Sequence, residues 1–172
     1  MTRIMDSITL EFYHDAYAQQ ADHYKLSPEQ REFTSMPIPA IELCGVEENR
    51  HPVMILQKSR LAGFFVLQGW EGAKLYCDNQ NSLLLRAYSV GADYQGKGIA
   101  HRSLELLPAF AEEHFPEKNE IVLAVNERNR AARHVYEKAG FRDTGRRIMG
   151  RKGLQHILHV PLKEEASQMG HE

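Results

Sequence analysis

The sequence predicts an α/β fold, a mixed sheet with helices on its faces. Three observations point that way. Short apolar runs of strand length alternate with stretches of helical periodicity along the chain. One of these runs, Leu83 to Val90, leads through a glycine-bearing turn into an amphipathic helix running from about Gly98 to His114. Two further strand-like runs, Phe141 to Met149 and Leu154 to Val160, close the chain around a turn at Gly150 to Gly153.

In chain order, Ile8 to Tyr13 is a first strand, and His14 to Tyr24 reads as a rather polar helix. Ser27-Pro28-Glu29-Gln30 starts a second, short helix. It offers Ser as N-cap, Pro at the first helical position and Gln at the capping-box position. Pro37 and Pro39 forbid continuation of that helix. Pro52 to Gln57 and Leu61 to Gln68 read as a hairpin around Lys58-Ser59-Arg60, and Gly69 to Asn81 is turn-rich. Pro108 falls inside the pattern of the long helix, where it removes a ladder bond and clashes with the carbonyl of Leu104, so a kink or break is expected. Ile121 to Val125 is a buried strand. A helix starts near Asn129 and buries the face of Ala132, Val135, Tyr136 and Ala139. Gly140 caps it, with Phe141 packing back. The polar tail, 163–172, reads as frayed, leaving one domain over 1–172 with its core at about 8–162.

Composition bounds the function. The chain has 172 residues, 42% of them hydrophobic and 26% charged, as in ordinary soluble domains. A net charge of −2 argues against general nucleic-acid binding. The local cluster Arg142, Arg146, Arg147, Arg151 and Lys152 reads first as a solvated strand face and turn. Cys44 and Cys77 are too few and too far apart for a disulfide framework, which points to the reducing cytoplasm. No Cys or His pair has zinc spacing; His156 and His159, three apart in a strand, point to opposite faces. The first residues, Met-Thr-Arg-Ile-Met-Asp, lack the apolar core of a signal peptide, and no run approaches the length of a membrane span.

The turn Gln95-Gly-Lys-Gly-Ile-Ala100 carries the strongest chemical signal. A glycine turn opening a helix leaves unpaired backbone N–H groups and the positive dipole end facing outward, a site for phosphate. Gly91 to Lys97 fits the first seven positions of a P-loop, but Gly98 stands where Ser or Thr should hold Mg²⁺, and the next strand ends in Asn126 with no Asp for the metal. The dinucleotide fingerprint needs a third small residue where this chain has His101.

Gln95-x-x-Gly98-x-Ala100 resembles instead the pyrophosphate-binding signature of the GNAT superfamily of acyl-CoA-dependent N-acyltransferases. Asn129, Ala132, Tyr136 and Gly140-Phe141 resemble the second hallmark of that family in order and spacing. The likeness is close over roughly 83–145; outside that span it extends only to the order of elements. It implies a central twisted mixed sheet of about seven strands flanked by about four helices, whose fourth and fifth strands splay to hold the pantetheine arm of CoA.

By the same resemblance the chain is an acetyl-CoA-dependent N-acetyltransferase that needs no metal and lets an amine attack the thioester directly. The backbone amide of Val90 faces the acyl oxygen, Tyr136 is the general acid, and Gln95, Gly96, Lys97, Gly98, Ala100 and His101 hold the pyrophosphate, mostly through backbone amides. Asn129 is both an N-cap and a CoA contact. Arg102 in the same helical turn is a further candidate contact, and Asn126 either joins the site or simply ends its strand. No general base is assigned; Glu29, Glu32, Glu42 and Tyr88 are candidates by position alone.

The acceptor side, about Asp15 to Cys44, holds Asp15, Asp22, Glu29, Glu32 and Glu42 with Tyr17, Tyr24 and Phe33. This set suits a cationic small-molecule amine, or a lysine or N-terminal amine. A solvated helical cover explains the same residues equally well. Family members are often dimers, so a homodimer is compatible with the resemblance, though no residue pattern fixes it. The alternative function is a non-catalytic acyl-CoA-binding sensing or regulatory module.

Overall fold

The computed structural model describes residues 7–47 and 49–162, and the tail from Lys163 lies outside them. The strands are β1 (Ile8–Phe12), β2 (Arg50–Gln57), β3 (Arg60–Gln68), β4 (Ser82–Val90), β5 (Glu120–Asn126), β6 (Arg142–Gly150) and β7 (Gly153–Pro161). The helices are α1 (Ala18–Asp22), α2 (Pro28–Phe33), α3 (Pro37–Val46), α4 (Trp70–Ala73), α5 (Ile99–His114) and α6 (Arg130–Lys138), with 3₁₀ turns at Asp15–Tyr17 and Ala92–Tyr94. All seven strands form one sheet in the order β1-β2-β3-β4-β5-β7-β6. Only the β4–β5 pairing is parallel, as a helical crossover through α5 requires.

The central strands are apolar on both faces because both faces are covered. On one side Val53, Ile55, Phe65, Leu67, Leu85 and Leu123 pack under α5, which contributes Ile99, Leu104, Leu107 and Ala111. On the other side Met54, Leu56 and Leu61 pack with Tyr24 and Leu26, Phe64 and Val66 with Ala40, and Leu84 and Val122 with Ala73. The β2–β3 hairpin closes at Lys58 (φ 48°) and Ser59 (φ 66°), both left-handed, with Gln57 opposite Arg60. That is the two-residue turn whose twist matches the strands.

The second helix is short and stops before the prolines, as expected, for α2 ends at Phe33. A further helix that was not expected, α3, begins on them, with Pro37 at its first position and Met36 as N-cap. In a first turn the missing N–H groups had no intrahelical acceptor anyway. One expectation is corrected: Pro108 does not break the long helix, for α5 runs through it from Ile99 to His114. Leu104 and Leu107 before it and Ala111 after it are buried on the sheet, and at roughly 2 kcal/mol per buried large side chain this anchoring offsets one lost ladder bond.

The capping box at Ser27 forms as expected, with Gln30 N–H donating to Ser27 Oγ (3.4 Å) and Ser27 N–H to Gln30 Oε1 (3.5 Å). Gly140 (φ 111°) ends α6, Phe141 N–H bonds the Tyr136 carbonyl (3.0 Å), and the Phe141 ring is buried. Among the described residues no helix is long and apolar enough to cross a membrane.

Candidate active site

The β4–β5 pair holds together for only three residues, Ser82 opposite Glu120, Leu83 opposite Ile121 and Leu84 opposite Val122. Beyond Leu84 the strands diverge. A bulge accompanies the divergence: Phe64 pairs with Ser89 and Val66 with Arg86, so Ala87 and Tyr88 together face the single residue Phe65. Ala87 takes a left-handed φ of 54°, a conformation that costs a side-chain-bearing residue about 1 kcal/mol and bends the strand. The wedge between β4 and β5 opens into a cavity of about 1060 Å³ whose walls come from α2, β4, the turn before α5, β5, α6 and the β6–β7 turn.

Alternation along β4 settles which backbone groups face the wedge. Gly91 N–H bonds the Ala62 carbonyl on β3 (2.7 Å), so the neighbouring pair, Val90 opposite Gly63, is non-hydrogen-bonded. The N–H and C=O of Val90 therefore turn to the other edge, toward the gap. The Gln95 amide agrees, donating from Nε2 to the Val90 carbonyl at 3.2 Å.

The turn before α5 takes its shape from two glycines, Gly96 at φ 77° and Gly98 at φ 79°. A Cβ on Gly96 would meet nothing within 4 Å, so its left-handed backbone, not packing, calls for glycine. Gly98 is the N-cap of α5. It provides no side-chain acceptor, and the first turn contains no acidic residue. The N-terminal N–H groups of this sixteen-residue helix thus open into the cavity without an internal anion.

Of the residues expected here, Val90, Gln95, Gly96, Gly98, Ala100, His101, Asn129 and Tyr136 all line the one cavity. Lys97 does not; its side chain is exposed, and Nζ lies 5.8 Å over the Tyr94 ring. His101 Nε2 is 3.4 Å from Glu105, while its Nδ1 is buried without a partner. Asn129 caps α6 through a long bond, with Ala132 N–H donating to Oδ1 at 3.3 Å. Asn126 ends β5 and ties the site's rim: its Nδ2 donates to the Lys152 carbonyl (3.0 Å) and its Oδ1 accepts from Arg128 N–H (2.8 Å).

Tyr136 lies edge-on to Tyr88 and Phe141, each at 5.8 Å. Among the described residues nothing hydrogen-bonds its hydroxyl, and burial alone pushes the phenol's pKa above its ordinary value. Tyr88 differs. Its hydroxyl is 2.6 Å from Ser103 Oγ and donates to the Ala100 carbonyl (3.2 Å), and burial raises its pKa too, so it is not placed to act as a base.

On the far wall, Glu29 and Glu32 line the cavity and Glu42 does not. Glu32 is held by Arg128 at 2.9 Å, and Lys152 Nζ donates to the Glu32 carbonyl. Gln95 Nε2 also donates to Gln30 Oε1, so α2 bridges the glycine turn and the β6–β7 turn. Tyr24 belongs to the core, its hydroxyl 2.8 Å from Ser89 Oγ. Of the basic cluster, Arg151 and Lys152 reach the cavity. Arg147 instead binds Asp143 on exposed β6 through two bonds of 2.9 and 2.8 Å. The wall residues His134, Gln155 and Arg86 were not singled out from sequence, since each depends on a strand or helix pairing that no local pattern encodes. No cluster of His, Cys, Asp and Glu among the described residues is arranged to hold a metal ion.

A family model described as "Acetyltransferase (GNAT) family" matches residues 9–141. A relative from Bacillus subtilis (strain 168), the uncharacterized N-acetyltransferase YbbJ, is 39% identical over 153 residues, covering 88% of this chain and 96% of that one. Among solved structures, AAC(6')-Ib in complex with paromomycin and acetyl-CoA superposes with a TM-score of 0.76 at 16% identity, covering 97% of this chain and 99% of that one. Spermidine/spermine N-acetyltransferase SpeG from Vibrio cholerae, in complex with manganese ions, gives 0.64 at 16% identity, covering 96% and 98%. At such identities the structural likeness concerns the fold.

Proposed function

Because the chain belongs to the acetyltransferase (GNAT) family, we propose that it moves an acetyl group from acetyl-CoA to a primary amine by direct attack on the thioester. One observation carries this reading: the uncapped mouth of α5, the diverging edge of β4 and the free Tyr136 hydroxyl all open into the same cavity. The proposed unit is a single domain with its core at about 8–162, working in the cytoplasm, where the free thiols of Cys44 and Cys77 would stay reduced.

The diphosphate of CoA lies over Gln95 to His101, gripped by backbone amides and the helix dipole. His101 adds a side-chain contact, and Asn129 contacts the cofactor while capping α6. Lys97 contributes its backbone alone. The pantetheine arm enters the wedge beyond Leu84, and Arg151 and Lys152 face the nucleotide end. Binding both reactants in one cleft supplies proximity.

The amine nitrogen attacks the carbonyl carbon, and the developing oxyanion is met by the Val90 N–H. As the C–S bond breaks, Tyr136 gives its proton to the departing sulfur and is reprotonated by the proton lost from the amine. A phenol is protonated at neutral pH, the form an acid needs, and burial extends that form to higher pH. The same burial makes complete transfer to a thiolate, with its reference pKa near ~8.5, uphill, so donation is strongest while the bond is breaking. Loss of the amine proton is assigned to water that relays it back to Tyr136. Glu32 is ion-paired and Tyr88 is tied to Ser103, which leaves Glu29 as the unpaired carboxylate on the same wall, among the described residues, to orient that water.

The test is release of free CoA from acetyl-CoA against a panel of polyamines, aminoglycosides, amino acids and lysine peptides. Release with at least one amine class supports the reading. Tight acetyl-CoA binding without release across the panel would assign the chain to the alternative, an acyl-CoA-binding module without catalysis.

A further inference from the structure

The wall of the cleft opposite α5 and α6 contains a cation for which the described residues supply no counter-ion. Arg86 sits on β4 immediately before the bulge at Ala87 and lines the cavity. Its guanidinium is half-buried and makes one hydrogen bond, from Nη1 to Gln68 Oε1 at 2.7 Å. Among the described residues no carboxylate lies within ion-pairing distance of it. Glu47, the carboxylate that acts on it electrostatically, is bound to Arg50 at 2.6 Å, and Arg50 itself adds a repelling positive charge.

The orientation of Arg86 is built in. Gln68 is buried, and its side chain lies against the backbone of Gly72, where an added Cβ would fall 2.6 Å from Gln68 Cδ and 3.1 Å from Cγ. Gly72 therefore makes room for Gln68, and Gln68 fixes one edge of the guanidinium. The remaining N–H groups have no protein partner among the described residues and are not sealed from solvent. A half-buried cation with spare donors in a reactant cleft is costly unless the reactant completes it.

Position decides which reactant. Arg86 follows Leu84 in the strand alternation, so it shares the face of Leu84, Val122 and Ala73, across the sheet from Leu85, Leu123 and the packed face of α5. The diphosphate turn and Tyr136 belong to the α5–α6 side. A group reaching Arg86 thus comes from the opposite side of the wedge, between β4 and the segment Glu29 to Ser35.

We propose that Arg86 recognises a carboxylate carried by the acceptor, so that the preferred substrate is an amino-carboxylate, such as a free amino acid or a short peptide, and not a polyamine. This deepens the N-acetyltransferase reading and rests on it. The planar guanidinium pairs with a carboxylate through two parallel N–H···O bonds, which a lysine in its place cannot reproduce. A polycation meets Arg86 and Arg31 on this side of the cleft, where Glu29 is, among the described residues, the lining carboxylate not held in an ion pair.

The experiment compares kcat/KM for amino acids and dipeptides, for the same compounds with the carboxyl amidated, and for spermidine, using acetyl-CoA. The wild type is measured beside Arg86→Gln and Arg86→Lys, with acetyl-CoA affinity and melting temperature recorded for each. The expected result is a preference of roughly 30- to 100-fold for the free carboxylate over its amide. That preference disappears in Arg86→Gln and is mostly lost in Arg86→Lys, while acetyl-CoA affinity is unchanged. Equal rates on acid and amide, or faster turnover of spermidine, overturn the proposal and leave the acetyltransferase reading intact; neither result needs a variant to fold. A carboxylate preference that appears only in the donor, as faster turnover of succinyl-CoA than acetyl-CoA abolished by Arg86→Gln, also overturns it, by moving the anion to the acyl group. Absence of transfer to any amine overturns both.

Discussion

Replacing Tyr136 by Phe separates chemistry from structure cleanly. The hydroxyl has no hydrogen-bond partner among the described residues, so its removal orphans nothing, and the edge-on contacts with Tyr88 and Phe141 at 5.8 Å survive in the phenyl ring. Stability should change by less than about 0.5 kcal/mol, a Tm shift below about 2 °C for a chain of this size. Turnover behaves differently. A positioned general acid contributes about 10²–10⁴-fold. Burial holds this phenol above its ordinary pKa and makes it a weaker donor, which places the loss at or below the lower end of that range. We therefore expect kcat to fall at least about tenfold, or about 1.4 kcal/mol of transition-state stabilisation, with acetyl-CoA affinity unchanged. The assay is free-CoA release at saturating acetyl-CoA and amine, with a thermal melt on the same samples. The pH profile gives a second reading. An acid works in its protonated form and loses activity above its pKa, so a phenol raised by burial puts the alkaline limb above the usual value of about 10. A Tyr136→Phe enzyme with unchanged kcat, unchanged Tm and an unchanged alkaline limb would refute the acid role.

Gly98→Trp places a side chain at a φ of 79° in the mouth of α5, so acetyl-CoA binding should be abolished while a cooperative melt and the far-UV circular dichroism of the sheet persist; retained affinity in titration would count against the diphosphate site. Asn129→Ala removes a 3.3 Å cap bond at the weak end of the range, and Tm should fall by no more than the equivalent of about 1 kcal/mol while the Kd for CoA rises severalfold; an unchanged Kd would leave Asn129 as a cap alone. Asp143 is held down to about 2, first by hydrogen bonds from Arg147 and also by the Gly145 N–H. Its unfolded value is near ~3.9, so its stabilising contribution is present above that pH and is lost as the folded carboxyl titrates toward 2. The Tm difference between wild type and Asp143→Asn should narrow as pH falls from about 4 to about 2, and a constant difference would show that the pairing with Arg147 contributes nothing.

The parts of the site that were legible in advance are those whose chemistry is local. A left-handed backbone at Gly96 and Gly98 is a property of those residues, and the cap at Asn129 and the stop at Gly140-Phe141 lie within one helix and its ends. Hydrophobic period alone marked the strands that line the wedge. The helix that starts on Pro37 and the continuity of α5 through Pro108 were not legible, because proline's cost depends on position. It is nearly free in a first turn, and within α5 it is offset by apolar burial that only the packed sheet supplies.

What the chain determined by itself was an uncapped, glycine-opened helix mouth followed, after that helix and one strand, by an aromatic hydroxyl at a defined helical offset. Tertiary structure alone decided that β4 and β5 separate after Leu84, that Gln68 meets Arg86 across the β3–β4 pairing, and that Glu32 is consumed by Arg128. The physical reason is that periodicity and capping are encoded in neighbouring residues. The width of a cleft, and whether a charge within it has a partner, depend on residues far apart in sequence that come together only when the sheet is assembled.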